Sequence, residues 1–188
     1  EIISFIPMNK SINVVDATFG GGSYTREILK NFNVSELLAI DRDPITKIFS
    51  KDLKSKYPNF KLVNDNFSKI DTIVEEAKLN KKKFDVIIYD LGTSSNQIDQ
   101  PDRGFSFNNK GPLDMGMGLN KTNAFEIVNQ YEETKLANII YQYGEERYSR
   151  IIAKEIVKNR KVKLISNTLE LSEIIKKSIP KKNISTKK

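Results

Sequence analysis

The 188 residues include no cysteine and no histidine, which excludes disulfides, thiolate or imidazole metal sites and every Ser-His-Asp or Cys-His catalytic arrangement. At 38% hydrophobic residues the chain can bury a sizeable core, yet no apolar run reaches transmembrane length. The net charge of +7 is uneven: residues 1–146 carry 18 Lys/Arg against 21 Asp/Glu, and residues 147–188 carry 13 against 3. That asymmetry points to a polyanionic partner for the C-terminal part, or else to lysines that simply solvate helix faces.

In chain order, EIISFIPMNKS lacks the basic-then-apolar pattern of a signal peptide, so a cytoplasmic protein without membrane association is expected. Ile12–Ala17 is a short apolar, β-branched run that predicts a buried strand. Residues 23–31 read as a helix, 37–41 as a second strand, and 44–56 as a helix with Pro44 near its first turn. Residues 60–63 read as a third strand. Residues 69–78 place Ile70, Ile73, Val74 and Ala77 at helical spacing, and FDVIIYD (84–90) is the fourth strand. Strand–helix alternation of this kind predicts an α/β fold with a parallel sheet covered on both faces.

The pattern then changes. Residues 91–120 are polar and punctuated by Gly and Pro, as in a functional loop or a domain junction. After Thr122 only helices are predicted, over 124–129, 132–143, 145–160 and 169–178. Tyr148, Ile151, Ile152, Ile156 and Val157 form an apolar stripe on the third, and Thr168 reads as N-cap of the fourth. The last eight residues, KKNISTKK, read as a basic tail.

The stretch VVDATFGGGSYTRE joins the first strand to the first helix through three glycines. A phosphate-binding Walker loop would need lysine after its last glycine, and a dinucleotide fingerprint would need glycine where Thr25 stands. The glycines still permit a sharp turn and close approach of a ligand to main chain. Asp16, at the end of the first strand, is poor company for a pyrophosphate and suits a ligand with a positive group. Asp41, 21 residues after Gly20, stands where a carboxylate receives the hydroxyls of an adenosine ribose. Ribose plus a cationic tail describes S-adenosylmethionine better than NAD. An ordinary tight turn with capping acids is the plainer alternative. Asp90 ends the fourth strand, so Asp16, Asp41 and Asp90 are expected to converge beyond the carboxyl edge of the sheet. Asp65 and Phe67 follow the third strand. The Phe67 ring suits either an adenine face or the core.

The loop YDLGTSSNQIDQPDRGFSFNNKGPLDMGM, residues 89–117, interleaves Phe105 and Phe107 with Arg103 and Lys110. Aromatics among cations suit an extruded base, or else anchor the loop to the helical half.

The segments DATFGGGSYTR, AIDRDP, DLGTSSNQID, RGFSFNNKGPLDMGM and YGEERYSRIIAKEIV, in this order, resemble the bacterial 16S rRNA cytosine-N4-methyltransferase family, MraW. The resemblance implies a Rossmann-like class I methyltransferase sheet carrying an inserted all-helical domain. It divides the chain into residues 1–103, the N-terminal part of the methyltransferase domain, and 104–188, a substrate-recognition insertion. It implies S-adenosylmethionine as methyl donor, with cofactor contacts at Gly22, Ser23, Tyr24, Asp41, Phe67, Asp90 and Gln97. It implies as substrate a cytosine in the decoding region of 16S rRNA, free or within the small ribosomal subunit. No metal is implied, and the oligomeric state is left open, with a homodimer among the possibilities. Family members usually have Gly-Gly-His where this chain has Gly22-Ser23-Tyr24, and Met-Arg-Met where it has Met115-Gly116-Met117. They usually begin with a His-Pro-Val segment and return to the sheet beyond the position of Lys188. The chain therefore reads as truncated at both ends, with an incomplete sheet.

The chemistry expected is methylation of the exocyclic N4. That nitrogen is a poor nucleophile, and an acceptor against its N–H must take up the proton. With no histidine, the acceptor is Asp90 or a neighbouring backbone carbonyl, with Asp114 second. Phe105 or Phe107 holds the unstacked base, Arg103 and Lys110 pin phosphates, and the basic helices beyond Arg147 hold the RNA. The rival readings are a non-catalytic RNA-binding fragment and a nicotinamide-dependent Rossmann oxidoreductase.

Overall fold

The computed structural model describes residues 2–7, 9–79, 83–118 and 122–180; the basic tail lies outside them. The chain forms two compact units, Glu1–Asn96 with Met117–Leu119, and Gln97–Gly116 with Asn120–Lys188. The chain first passes from one unit to the other after Asn96 rather than after 103, and the RGFSF segment belongs to the helical unit.

The first unit is built from β1 (Ile12–Asp16), α1 (Ser23–Asn31), β2 (Val34–Ile40), α2 (Thr46–Phe49), α3 (Lys51–Lys56), β3 (Phe60–Val63), α4 (Ile70–Glu76) and β4 (Val86–Ile88). The strands form one parallel sheet in the order β3-β2-β1-β4. Alternation along the strands divides the core between two faces. Val14, Leu37, Ala39 and Ile88 pack with Ile28 of α1, Leu53 of α3, Phe19 and Phe60. Val15, Leu38 and Ile40 pack on the other face with Ile73 of α4 and Leu79. Such fully buried strands read as apolar runs rather than alternating ones, which is why INVVDA and LLAID are recognisable.

In this unit three elements differ from the sequence-based expectation. The helix over 44–56 is two short helices. The buried Ser50 hydroxyl donates to the Lys47 carbonyl at 3.1 Å, a side-chain bond that competes with the backbone ladder. The second strand begins at Val34, which pairs with Ile12. The fourth strand is only three residues long, because the Asp85 carboxylate before it takes the Asn13 N–H and the Lys10 ammonium.

The second unit holds α6 (Ala124–Gln130), α7 (Glu133–Gly144), α8 (Ser149–Arg160) and α9 (Thr168–Ser178), after the short α5 (Ser95–Ile98) at the divide between the units. Its core joins Leu113, Val128, Leu136, Ala137, Ile152, Ala153, Ile156 and Ile165. The expected apolar stripe of α8 is narrower, since Ile151 is 45% exposed and Ala153 takes the inner position. The helix also starts at Ser149 and not at 145. Glu145 closes α7 in the left-handed region (φ 50°), and the Glu146 carboxylate accepts the Tyr148 N–H at 2.7 Å. The N-cap of α9 is Asn167, whose Oδ1 accepts the Glu170 N–H at 3.0 Å. Thr168 does something else: its hydroxyl donates to Asn109 O and accepts from Gly111 N, tying the 101–116 loop to the start of α9. Among the described residues no helix is long and apolar enough to cross a membrane.

Candidate cofactor-binding site

The carboxyl ends of β1, β2 and β4 meet at the glycine loop, and five hydrogen bonds define how. Asp16 ends β1 with its carboxylate almost fully buried. Oδ2 accepts from the Thr25 hydroxyl at 2.7 Å and Oδ1 from the Thr18 N–H at 3.2 Å. Asp41 follows β2, and its Oδ2 accepts the Gly20 N–H at 2.7 Å while Oδ1 accepts the Asp43 N–H at 2.8 Å. The Asp90 N–H, two residues past β4, donates to the Thr18 hydroxyl at 2.7 Å. The loop is therefore pinned at residues 18, 20 and 25 by side chains or main chain from three strands.

Burial pushes the Asp16 carboxyl above the usual range against the opposing pull of its Thr25 and Thr18 bonds, and the neighbouring charges of Asp41 and Asp90 push the same way. Burial also raises Asp41, partly offset by the N–H groups of Asp43 and Gly20. Such a cluster stores negative potential that a cation would relieve. Asp16 itself, expected to face a positive ligand, is 1% exposed and spends both oxygens on internal donors; it braces the loop instead.

The glycines are required by conformation. Gly20 and Gly22 lie in the left-handed region at φ 52° and 79°. A Cβ at Gly22 would sit 2.7 Å from Cζ of Phe19, a ring that is itself buried against Phe60 at 5.9 Å. Gly22 caps α1 with no side-chain bond, so the first N–H groups of the helix, at Ser23 and Tyr24, have no intrahelical acceptor. Ser23 is exposed, and Tyr24 leans on the first core cluster.

Phe67 lies in a 3-10 turn after β3 and meets Tyr89 edge to face, centroids 5.5 Å apart. Both rings are partly exposed, at 37% and 48%, so Phe67 belongs to a surface shelf and not to the core. A cavity of about 420 Å³ lies beside it, lined by Arg42, Asn64, Asp65, Asn66, Ser68 and Lys69. Asp65, whose carboxyl the Lys69 ammonium draws below the usual range, bonds that lysine at 2.9 Å.

These residues fit S-adenosylmethionine. Each Asp41 oxygen accepts one N–H and keeps a lone pair for a ribose hydroxyl. The Phe67–Tyr89 shelf offers an apolar face to a flat ring, bare main chain at Gly20–Gly22 admits close approach, and the acids suit a positively charged ligand. Among the described residues no three Asp or Glu side chains group to hold a metal.

The other residues singled out in the sequence lie in the second unit. Gln97 is buried, and Asp114 is exposed, its carbonyl accepting the Ala124 N–H at 2.9 Å. Arg103 is committed within its own loop: Nη2 donates to Gly116 O at 2.9 Å and the guanidinium lies 5.8 Å from the centre of the half-buried Phe105 ring. Phe107 is 63% exposed and Lys110 is exposed. The loop is compact because Gly104 and Gly111 allow backbones to touch; a Cβ at either would fall about 2 Å from the Pro112 or Pro101 carbonyl oxygen. Thr18, Thr25 and Tyr89 were missed by sequence reasoning, although threonines two after Asp16 and two after the last Gly22-Ser23 pair sit where a capping hydroxyl would.

A parallel sheet whose first strand passes through a glycine loop into a helix, with a carboxylate from the second strand fastened to that loop, defines a nucleotide-cofactor class of α/β domain. The chain belongs to the MraW methylase family, whose pattern it matches over residues 1–188. It is 43% identical over 185 residues to the ribosomal RNA small subunit methyltransferase H of Buchnera aphidicola subsp. Acyrthosiphon pisum (strain Tuc7), a match covering 97% of this chain and 58% of that protein. It is 42% identical over 180 residues to the protein of the same name from Rickettsia bellii (strain RML369-C), covering 95% and 57%. The chain thus spans rather more than half the length of these relatives. Among solved structures, an rRNA methylase from Streptococcus thermophilus aligns over 56% of this chain and 61% of its own, at 19% identity and a TM-score of 0.37.

Proposed function

We propose that the first unit binds S-adenosylmethionine and that the protein methylates the exocyclic N4 of a cytosine in small-subunit rRNA. The observation that carries this reading is Asp41, fixed by the Gly20 N–H with lone pairs to spare, beside a main-chain turn in which Gly20 and Gly22 take left-handed φ and a Cβ at Gly22 would strike Phe19. Membership of the MraW methylase family supports the reaction class. The names of the Buchnera and Rickettsia relatives support rRNA as the substrate class.

S-adenosylmethionine, when bound, supplies an electrophilic methyl group. The chain's own residues do the rest. Asp41 orients the ribose, Gly22, Ser23 and Tyr24 offer N–H groups and main chain, and Phe67 covers a flat face of the ligand. The Asp90 main chain is held by Thr18, and its exposed carboxylate takes the proton that leaves N4. Alignment of the reacting groups lowers most of the barrier. In the second unit, Phe107 is the open ring for an unstacked base and Lys110 the open cation for a phosphate. Arg103 and Phe105 shape that loop, and Asp114 is the reserve acceptor. Gln97 is read as a cofactor contact through the family resemblance.

Calorimetric titration with S-adenosylmethionine tests the reading. Saturable binding is expected from the chain and a loss of at least tenfold from Asp41→Ala, followed by methyl incorporation into rRNA that Asp90→Asn suppresses. Absence of binding by a chain with native circular dichroism refutes the cofactor assignment and leaves RNA binding alone.

A further inference from the structure

The turn that carries Asp41 is fastened by a residue with no part in the chemistry so far. Ile40 of β2 lies level with Val63 of β3, and the Asp41 N–H donates to the Val63 carbonyl at 3.1 Å. Asn64, the residue after β3, therefore stands beside Asp41. Its amide Nδ2 donates to the carbonyls of Asp41 and Asp43, each at 3.1 Å, and to the Thr46 hydroxyl at 2.9 Å. The Thr46 hydroxyl sends its own proton to the Asp43 carbonyl at 2.7 Å, so toward Asn64 it is an acceptor. The amide nitrogen thus faces three acceptors at once. Asp43 and Thr46 are buried, which makes a lost donor costly here.

What Asn64 fixes is the shape of the segment from Asp41 to Asp43, since it holds the carbonyls at both ends. That shape aims the Asp43 N–H at Asp41 Oδ1, 2.8 Å away, and leaves Oδ2 for the Gly20 N–H at 2.7 Å. The rotation of the Asp41 carboxylate, and with it the direction of its remaining lone pairs, depends on a turn that Asn64 ties down from the neighbouring strand.

Resting on the S-adenosylmethionine reading above, we propose that Asn64 is a positioning residue for that ligand: its amide sets the rotation of the Asp41 carboxylate and thereby the selectivity of the site for ribose hydroxyls. The donor character of the amide is what the role requires, and this separates it from packing. Asn64→Asp keeps the shape but turns a carboxylate oxygen toward two carbonyls, a repulsive arrangement. Asn64→Ala removes the donor without adding repulsion. A positioning donor therefore predicts that aspartate is the worse replacement, whereas a side chain that only fills space predicts that alanine is.

Calorimetric titration of the intact chain with S-adenosylhomocysteine and with its 2′,3′-dideoxy analogue tests this. The wild type is expected to prefer the ribose form by roughly 10- to 150-fold, as for hydrogen bonds to a charged group. Asn64→Asp should reduce that preference to about threefold or less, with Asn64→Ala between, while affinity for the dideoxy analogue stays within about twofold. A second reading needs no ligand. The Gly20 amide, bonded to Asp41, should exchange its proton at least about tenfold faster in Asn64→Asp, while the neighbouring Phe19 amide, bonded to the Ile40 carbonyl at 3.0 Å, keeps its protection and so reports that the fold is intact. Equal loss of affinity for both ligands, an unchanged ribose preference, or a larger effect of alanine than of aspartate overturns the proposal, as does an unchanged Gly20 exchange rate. A wild type that binds neither ligand defeats the S-adenosylmethionine reading, and with it the ribose selectivity; faster Gly20 exchange in Asn64→Asp would then still show that Asn64 places Asp41.

Discussion

Replacing Gly22 by alanine separates the two demands that the glycine loop makes. Gly22 sits at φ 79°, where a Cβ costs about 1–2 kcal/mol. Its Cβ would also lie 2.7 and 2.9 Å from Phe19, and that ring cannot retreat because it is 3% exposed and backed by Phe60. Overpacking of this kind adds about 1–3 kcal/mol. The expected total is about 2–5 kcal/mol, a fall in Tm of roughly 4–20 °C for a chain of this size. Gly20→Ala isolates the first term: φ is 52°, but the nearest contact, Ser94 Cβ, is an ordinary 3.7 Å away, so only about 1–2 kcal/mol is lost. Gly144→Ala is the control, with nothing within 4 Å of its Cβ and no left-handed φ; it should leave the melt unchanged or raise it slightly. Differential scanning calorimetry of the three variants checks the order. Equal losses from Gly22→Ala and Gly20→Ala would refute the claim that Phe19 is immovable.

Two further outcomes follow from named bonds. The Asp16 carboxyl has its pKa raised in the fold by burial, so the stability tied to its neutral form is complete below the unfolded value, about 3.9, and is lost as pH rises through the folded value. Asp16→Asn removes that dependence, so its Tm should gain on the wild type as pH rises from about 4; a pH-independent gap would show that Asp16 does not titrate in this way. Thr168→Val keeps the shape but strands Asn109 O and Gly111 N, costing about 2–4 kcal/mol and exposing residues 101–116 to protease. An unchanged digestion rate would show that the loop is held by packing alone.

The two central strands were legible because parallel strands buried on both faces are apolar throughout, as INVVDA and LLAID are, whereas FDVIIYD was legible as an apolar, β-branched run although it forms an edge strand whose Ile87 is half exposed. Helix α1 was legible to the residue, since glycine turns the backbone and its apolar positions recur at helical spacing. What escaped was tertiary. Asp16 looked like a ligand-facing acid, and only the fold shows Thr18 and Thr25 occupying it. Nothing local separates a threonine that braces Asp90 from one in any turn. Thr168 looked like a helix cap because the sequence cannot reveal that a loop some 57 residues earlier needs its hydroxyl. Arg103 looked like a phosphate clamp, yet its guanidinium is used inside its own loop.

The bond between Gly111 and Thr168 also has a temporal meaning. The two residues stand 57 apart in the chain, so during synthesis the loop emerges well before the side chain that fixes it. At about 5–20 residues per second that interval is roughly 3–11 s. For that time the RGFSF segment, with Phe105 and Phe107, is in solution without its anchor. Slow or paused translation between α6 and α9 would lengthen the exposure, and a nascent chain arrested before residue 168 should be cut in this loop while its glycine turn, made earlier, already resists.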